Sequence, residues 1–266
     1  MMLKRGLITK SKACDQQIRA KWFVMKRFRR EVWNKKMIKR WRDLPESIRC
    51  PEVKKYYKRL YRKRGSLLLK RGFDIVASVI FLILLAPVML GIAVWIKMDS
   101  KGPVFFRQER ITQYGRKFRI CKFRTMVADA EQLGTLVTVE EDPRITKVGR
   151  KIRSCRLDEL PQLFNILTGD MTFVGTRPEV LKYVEHYTPE WMATLLLPAG
   201  VTSNASVAYK DEDEVMQGYL EQGLSVDEIY VQYILPEKMK YNLQELQHFG
   251  LWNDLKILIR TVLAVI

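Results

Sequence analysis

Histidine is almost missing from this chain: His186 and His248 are the only two in 266 residues. A zinc centre, which draws its ligands from His and Cys, is correspondingly disfavoured. Cysteine is scarce as well. Cys14, Cys50, Cys121 and Cys155 form no C-x-x-C pair and no regular spacing, so they read as reduced cytosolic thiols and not as a disulfide frame or redox pair. The chain has no G-x-x-x-x-G-K-[ST], no G-x-G-x-x-G and no G-x-S-x-G. A P-loop ATPase, a dinucleotide-binding fold and a serine hydrolase therefore lack support. The first 69 residues lack the short apolar core and small-residue cleavage site of a signal peptide.

Positive charge is abundant and unevenly placed. The net charge is +18, yet residues 1–72 alone hold 25 Lys+Arg against 5 Asp+Glu, which leaves the rest of the chain at −2. Such a segment seeks a polyanion. From Ala20 to Arg42, Trp22, Phe23, Phe28, Trp33 and Trp41 alternate with Lys and Arg, a pattern suited to a lipid headgroup layer. Nucleic acid is the competing partner, since Tyr and Arg also stack on bases. An anionic membrane surface is preferred because the apolar run after this segment must enter lipid. Ile75–Ile96 is 22 residues without a charge, about 33 Å as one helix and enough for a bilayer core of about 30 Å. Pro87 sits near its middle, and both flanks are basic. A spanning helix would export one basic cluster, against the positive-inside tendency. A helix that enters, breaks at Ala86-Pro87 and returns keeps both clusters on one side.

Beyond this run, Gly102–Met126 reads as a β-hairpin, with Val104-Phe105-Phe106 in its first strand, Gly115 in the turn and Phe118–Phe123 returning. Lys122 and Arg124 alternate with Cys121, Phe123 and Thr125, which predicts that both cations share one face. Ile145, Val148, Ile152 and Cys155 recur at helical spacing, as an amphipathic helix lying on the membrane or on the protein surface. In Arg156-Leu157-Asp158-Glu159-Leu160-Pro161-Gln162-Leu163, Pro161 suits a first helical turn and Asp158 an N-cap. The helix dipole there stabilises a carboxylate and also attracts phosphate. Gly169-Asp170 makes a turn, and Met171–Val174 is a short apolar extension. Pro178 pushes Arg177 into an extended conformation, which presents a guanidinium for a phosphate or for a nearby acid. Asp211–Gln222 and Ser225–Gln247 read as helices, and Leu251–Ile266 as an interfacial or core helix.

Arg156–Leu163 resembles the Asp-Glu motif of the bacterial sugar transferases, the monotopic polyprenyl-phosphate phosphoglycosyl transferases. Four further stretches resemble that family in its own order. They are Lys70-Arg71-Gly72-Phe73-Asp74, Gly102–Arg110, Lys122-Phe123-Arg124-Thr125-Met126 and Gly175-Thr176-Arg177-Pro178. The resemblance covers residue 70 to the C-terminus and departs from the family pattern at Ala86 (usually Ser), Thr112 (usually Gly) and Thr176 (usually Pro). It also meets an extra Ala in Pro198-Ala199-Gly200-Val201-Thr202.

The resemblance implies an α+β, mostly α, monotopic fold with a re-entrant helix and a small β-hairpin. It divides the chain into a basic extension, residues 1–69, and a membrane helix plus catalytic domain, residues 70–266. It implies transfer of a sugar-1-phosphate from a UDP-sugar to polyprenyl phosphate at the cytoplasmic face of a bacterial inner membrane, releasing UMP. Asp158 would be the nucleophile, and Glu159 would bind Mg²⁺ or take a proton. Lys122, Arg124, Arg177 and Pro178 would form the phosphate contacts. A homo-oligomer is compatible with this reading. A reading of another class is a non-catalytic, membrane-tethered scaffold whose basic arm binds polyanions. That alternative accounts for the N-terminus but not for the ordered motifs.

Overall fold

The computed structural model describes residues 38–127, 130, 142–209 and 212–265, and Met37–Ile266 forms one compact unit. The basic aromatic stretch Ala20–Arg42 and the polar stretch Ala128–Glu141 lie largely outside the described residues. Helix α1 (Pro51–Arg62) and the long helix α2 (Arg64–Asp99) lead into a hairpin of β1 (Phe105–Thr112) and β2 (Arg116–Phe123). Then come α3 (Lys147–Ser154), α4 (Gln162–Thr168), β3 (Met171–Val174) and β4 (Ala199–Thr202). The chain closes with α5 (Asn204–Ala208), α6 (Glu212–Leu220), α7 (Leu235–Gln247) and α8 (Leu251–Val265). The architecture is mostly helical, with two small two-stranded sheets among the described residues.

Helix α2 organises the unit. By length and composition it is long and apolar enough to cross a membrane. Its helical backbone runs on through Ala86 and Pro87, so the expected break there is not a chain break in this structure. Proline removes one helical hydrogen bond, to the carbonyl of Ile83, and the turns on either side continue. Leu67, Lys70, Asp74, Ala77 and Ser78 are buried in its first half, and Met89, Ile92 and Ile96 in its second. That three-to-four-residue spacing is a single helical stripe. The other faces expose Ile80, Ile83, Leu84, Val88, Leu90 and Val94.

Polar ties fasten both ends of α2 to the same body. The Lys70 ammonium donates to the Val174 carbonyl at 2.8 Å and to Asp254 at 2.6 Å. Arg71 donates to the carbonyls of Ile166 and Leu167 at the end of α4, where helix carbonyls lack partners of their own. Asp74 accepts from the Thr172 hydroxyl at 2.8 Å. Asp99, at the far end, accepts from the Val148 amide at 3.2 Å.

Helix α1, on the N-terminal side of the division expected at 69/70, packs on the body that follows it. Val53, Tyr56, Tyr57 and Leu60 are buried in one cluster with Leu195, Leu196, Leu246 and Phe249. Tyr56 donates to Glu190 at 2.8 Å, and Lys63 donates to the Phe249 carbonyl. Period-3.6 spacing of Val53, Tyr56 and Leu60 produces this face, while Lys54, Lys58 and Arg59 remain exposed. Residues 38–69 are thus part of the same unit as the rest.

The hairpin is antiparallel, in register from Phe105 opposite Phe123 to Thr112 opposite Arg116. Tyr114 and Gly115 take positive φ at its turn, a geometry that glycine tolerates freely. The second sheet was not expected: β3 and β4 pair in parallel, with Met171 opposite Ala199 and Val174 opposite Thr202. Its backbones pass so closely that a Cβ on Gly200 would lie 2.1 Å from the Gly175 carbonyl oxygen. On the apolar side of α3, Val148 and Ile152 are buried in the protein, while Cys155 just past its end is exposed. Val148 and Ile152 pack on Met89, Ile92, Ile96 and Phe123. Helix α8 divides its faces: Asp254 and Ile257 are buried, while Trp252, Leu255, Ile259, Val262 and Leu263 are exposed.

Candidate active site

Arg156 adopts a left-handed backbone, φ 53° and ψ 20°, and Leu157–Glu159 then form a 3₁₀ turn. Leu160 and Pro161 continue at right-handed helical angles, and α4 begins at Gln162. Pro161 therefore stands at the cap position and not inside the first turn. Asp158, expected at the N-cap, lies instead three residues upstream of it, inside the 3₁₀ turn, and does not cap α4. The two adjacent carboxylates meet very different surroundings. Asp158 is 7 % exposed and its carboxylate has no hydrogen bond or ion pair among the described residues. Glu159 is clamped: its Oε1 lies 2.8 Å from the Lys122 ammonium and 2.6 Å from Arg177 Nη2.

Electrostatics separate the pair further. Burial pushes the Asp158 carboxyl up, against the opposing pull of Lys122 and with help from the neighbouring Glu159. Burial acts the same way on Glu159, but Arg177 and Lys122 outweigh it and hold that carboxyl far below the usual range. Glu159 in turn raises the Arg177 guanidinium, while burial lowers the Lys122 ammonium despite Glu159 beside it. Two neighbouring titratable groups driven in opposite directions are a common arrangement where one must react and the other must stay charged.

Three elements deliver these side chains. Lys122 comes from β2, and β2 is tied to α4 by Asn165, whose side chain accepts from the Cys121 amide at 2.8 Å and donates to the Arg119 carbonyl at 2.9 Å. Asn165 occupies a helix position that the apolar pattern alone would assign to packing, so no local signal marks it. Arg177 leaves the end of β3 on the Gly175–Pro178 loop. The Pro178 carbonyl accepts from Arg110 at 3.3 Å. Next to it, Glu179 accepts from the Tyr230 hydroxyl at 2.7 Å and gives its carbonyl to the Ile111 amide. Pro178 thus serves the loop backbone, while the Arg177 side chain reaches Glu159.

Arg124 does not join this cluster. Strand β2 ends at Phe123, so the alternation that was to place Arg124 beside Lys122 stops one residue early. Its guanidinium donates instead to the carbonyls of Lys101 and Ser100, at 2.6 and 2.7 Å. That closes the link between α2 and the hairpin. Arg153, which the sequence motifs do not mark, exerts an attractive charge on Asp158.

A cavity of about 330 Å³ opens beside Glu159. Arg156, Glu159 and Gln162 belong to its wall, Phe81, Leu85, Leu163, Ile166, Phe173 and Val201 supply half of the rest, and Thr202, Ser206, Val207 and Thr261 are also part of the lining. No group of three or more His, Cys, Asp or Glu side chains able to hold a metal occurs among the described residues. The donor set fits a magnesium ion that arrives on a diphosphate, since Mg²⁺ in such sites takes one or two carboxylates and draws its remaining ligands from phosphates and water. Glu159 Oε2, with only a 3.5 Å contact to Arg177, retains ligand capacity.

Comparison with known proteins agrees with these motifs. The family model described as bacterial sugar transferase matches residues 65–266. Three relatives are similar to the chain. It is 36% identical over 201 residues to UDP-N-acetylgalactosamine-undecaprenyl-phosphate N-acetylgalactosaminephosphotransferase of Aeromonas hydrophila, covering 74% of this chain and 44% of the relative. It is 34% identical over 200 residues to UDP-glucose:undecaprenyl-phosphate glucose-1-phosphate transferase of Escherichia coli (strain K12), covering 73% and 39%. A protein of the latter name from Caulobacter vibrioides is 35% identical over 196 residues, covering 73% and 68%. The chain therefore spans about two fifths of the length of the first two relatives. With a match that includes Lys122, Asp158, Glu159 and Arg177, the chain belongs to the bacterial sugar transferase family.

Proposed function

We propose that this protein transfers a sugar-1-phosphate from a UDP-sugar to a polyprenyl phosphate, the first membrane step in making a surface polysaccharide or glycoconjugate. The observation that carries the mechanism is the contrast between a buried, unpaired Asp158 and a Glu159 clamped by two cations. An Asp158 oxygen attacks the phosphorus that bears the sugar. The bond from that phosphorus to the UMP oxygen breaks, UMP departs, and an acyl phosphate remains on the enzyme. The lipid phosphate oxygen then attacks the same phosphorus, the acyl-phosphate P–O bond breaks, and the Asp158 carboxylate is restored. The products are polyprenyl-diphospho-sugar and UMP.

Burial sharpens the nucleophile by removing its water, and Lys122 and Arg177 place positive charge beside the site of reaction. Bound Mg²⁺ would supply further neutralisation of the diphosphate, held through Glu159. Clamped as it is, Glu159 suits a fixed charge better than a proton acceptor.

The same reading puts the enzyme on the cytoplasmic face of the bacterial inner membrane with α2 re-entrant. Support comes from packing: Phe81 and Leu85, near the middle of α2, share a cavity with Glu159. A perpendicular span would carry Asp158, Glu159, Lys122 and Arg177 toward the bilayer centre, where charged groups are costly. A shallow path, returning by a bend at Pro87 where one helical hydrogen bond is missing, would put them at headgroup depth, where the acceptor's phosphate lies. The exposed basic side chains of α1 then face anionic lipid.

Incubation with UDP-sugar alone tests the two-step route. UMP should appear before lipid is added, and mass spectrometry after a rapid acid quench should find a sugar-phosphate adduct on Asp158. UMP release only when both substrates are present would instead establish direct transfer.

A further inference from the structure

We infer that the cavity beside Glu159 seats the phosphate end of the lipid acceptor, with Arg156 and Gln162 binding the phosphate and the apolar walls taking the first isoprene units. This deepens the proposed function and rests on its choice of a lipid acceptor. Gln162 is the strongest pointer. It is 1 % exposed, lines the cavity, and neither its side-chain oxygen nor its nitrogen has a hydrogen-bond partner. A buried amide left unpartnered is costly, so an occupant that supplies the missing bonds is favoured there. Arg156 is the second pointer. Its side chain is exposed, lines the same cavity, and has no hydrogen bond or ion pair among the described residues. Lys122 and Arg177, by contrast, are already occupied by Glu159.

The occupant must therefore be an amphiphile with an anionic head. Leu85, Leu163, Ile166, Phe173 and Val201 offer it hydrocarbon contact, and Phe81 and Ala264 of the lining are themselves exposed. They connect the cavity to the apolar outer faces of α2 and α8, which carry Ile80, Leu84, Ile259 and Val262. At about 330 Å³ the volume is at the small end for ligand sites. It admits a phosphate and the start of a chain, and the remainder of the polyprenyl chain continues along those outer faces. A nucleotide fits this wall poorly, because its lining hydroxyls are already bonded, Thr202 to Thr261 and Ser206 to Ser203, so a sugar and a base would bury polar groups largely against hydrocarbon.

Direct binding in detergent micelles tests the assignment, with the full chain carrying Asp158→Asn so that no turnover intervenes. The probes are tritiated undecaprenyl phosphate, undecaprenol without its phosphate, and UDP-glucose. Arg156→Asn removes the cation but tolerates the left-handed backbone, and should weaken lipid-phosphate binding about tenfold, the worth of one charge-assisted hydrogen bond. Arg156→Lys should restore most of that loss, and neither change should move UDP-glucose binding. Gln162→Leu should raise Tm while weakening the lipid phosphate, a split that a purely structural glutamine would not show. Val207→Trp, or Ala264→Phe should the first fail to fold, narrows the apolar wall and should weaken undecaprenyl phosphate and undecaprenol alike. Unchanged lipid binding in the Arg156 and Gln162 variants overturns the assignment, as does a loss confined to UDP-glucose. Failure of the Asp158→Asn chain itself to bind undecaprenyl phosphate would sink the lipid-acceptor reading, which is a separate result.

Discussion

At the scale of single residues, the informative contrast is between neighbours that look alike. Asp158→Asn should lower turnover by more than about a thousandfold, since an amide is no substitute for the attacking carboxylate, and should leave the folded state intact in circular dichroism. The acid limb of the rate profile should lie above the ordinary aspartate range. Burial raises the Asp158 pKa, the nucleophile must be ionised, and activity is therefore lost as pH falls through that raised value. An acid limb at the ordinary aspartate value would contradict this. Glu245 permits a stability test away from the site. Burial pushes it up to about 7, and it accepts from the Asn204 amide at 2.9 Å. Below its unfolded value both states are protonated and no effect arises. As pH rises toward 7 the unfolded chain ionises first, so stability falls, by about 3 kcal/mol once both are ionised. Glu245→Gln keeps an acceptor oxygen and should raise Tm at pH 8 while leaving it nearly unchanged at pH 4. Equal shifts at both pH values would contradict the assignment.

At the scale of elements, the second sheet is the most constrained piece. Strands β3 and β4 are short, yet β3 is followed directly by the loop that bears Arg177. The Gly175 amide donates to the Thr202 carbonyl and the Gly200 amide to the Thr176 carbonyl, at 2.9 and 2.8 Å. A side chain on Gly200 would strike Gly175 backbone, which cannot swing aside as a flexible side chain would. Gly200→Ala should cost about 1–3 kcal/mol by overpacking and reduce activity together with it, because Arg177 shifts with the strand. Thermal melting beside an activity assay checks this, and a variant of parental Tm and rate would show that the crossing relaxes freely. The hairpin was legible from alternation and a glycine turn. This sheet was not, because four-residue strands are too short for alternation to show. Its pairing also joins Met171–Val174 to residues about 28 positions away.

At the scale of the whole molecule, the question is how α2 meets the membrane. Gly65 and Lys101 flank the apolar run, and both should be cytoplasmic. Single cysteines at those positions, in a chain without its four native cysteines, should behave alike toward an impermeant thiol reagent on intact cells: both should be protected. Reaction at one position and protection at the other would mean a spanning helix. Pro87→Leu restores the hydrogen bond to the Ile83 carbonyl and should let a fraction of molecules span, seen as new labelling at one flank.

Local chemistry carried far in this protein. The charge-free run, its basic flanks, the hairpin and the Asp-Glu turn are all products of short-range pattern, because helix periodicity, strand alternation and turn preferences act over a few residues. Family membership was legible for the same reason: motifs are local strings in a fixed order. Tertiary structure alone decided the rest. It joined residues 38–69 to the main body by burying Tyr56 and Leu60. It withdrew Arg124 from the site by ending β2 at Phe123. Out of two adjacent acids, one was left unpaired and the other was clamped with Lys122 and Arg177. Those outcomes depend on which side chains meet across 18 to well over 100 residues of chain, and such meetings are set by how apolar surfaces pack and how buried charges find partners, neither of which a local pattern records.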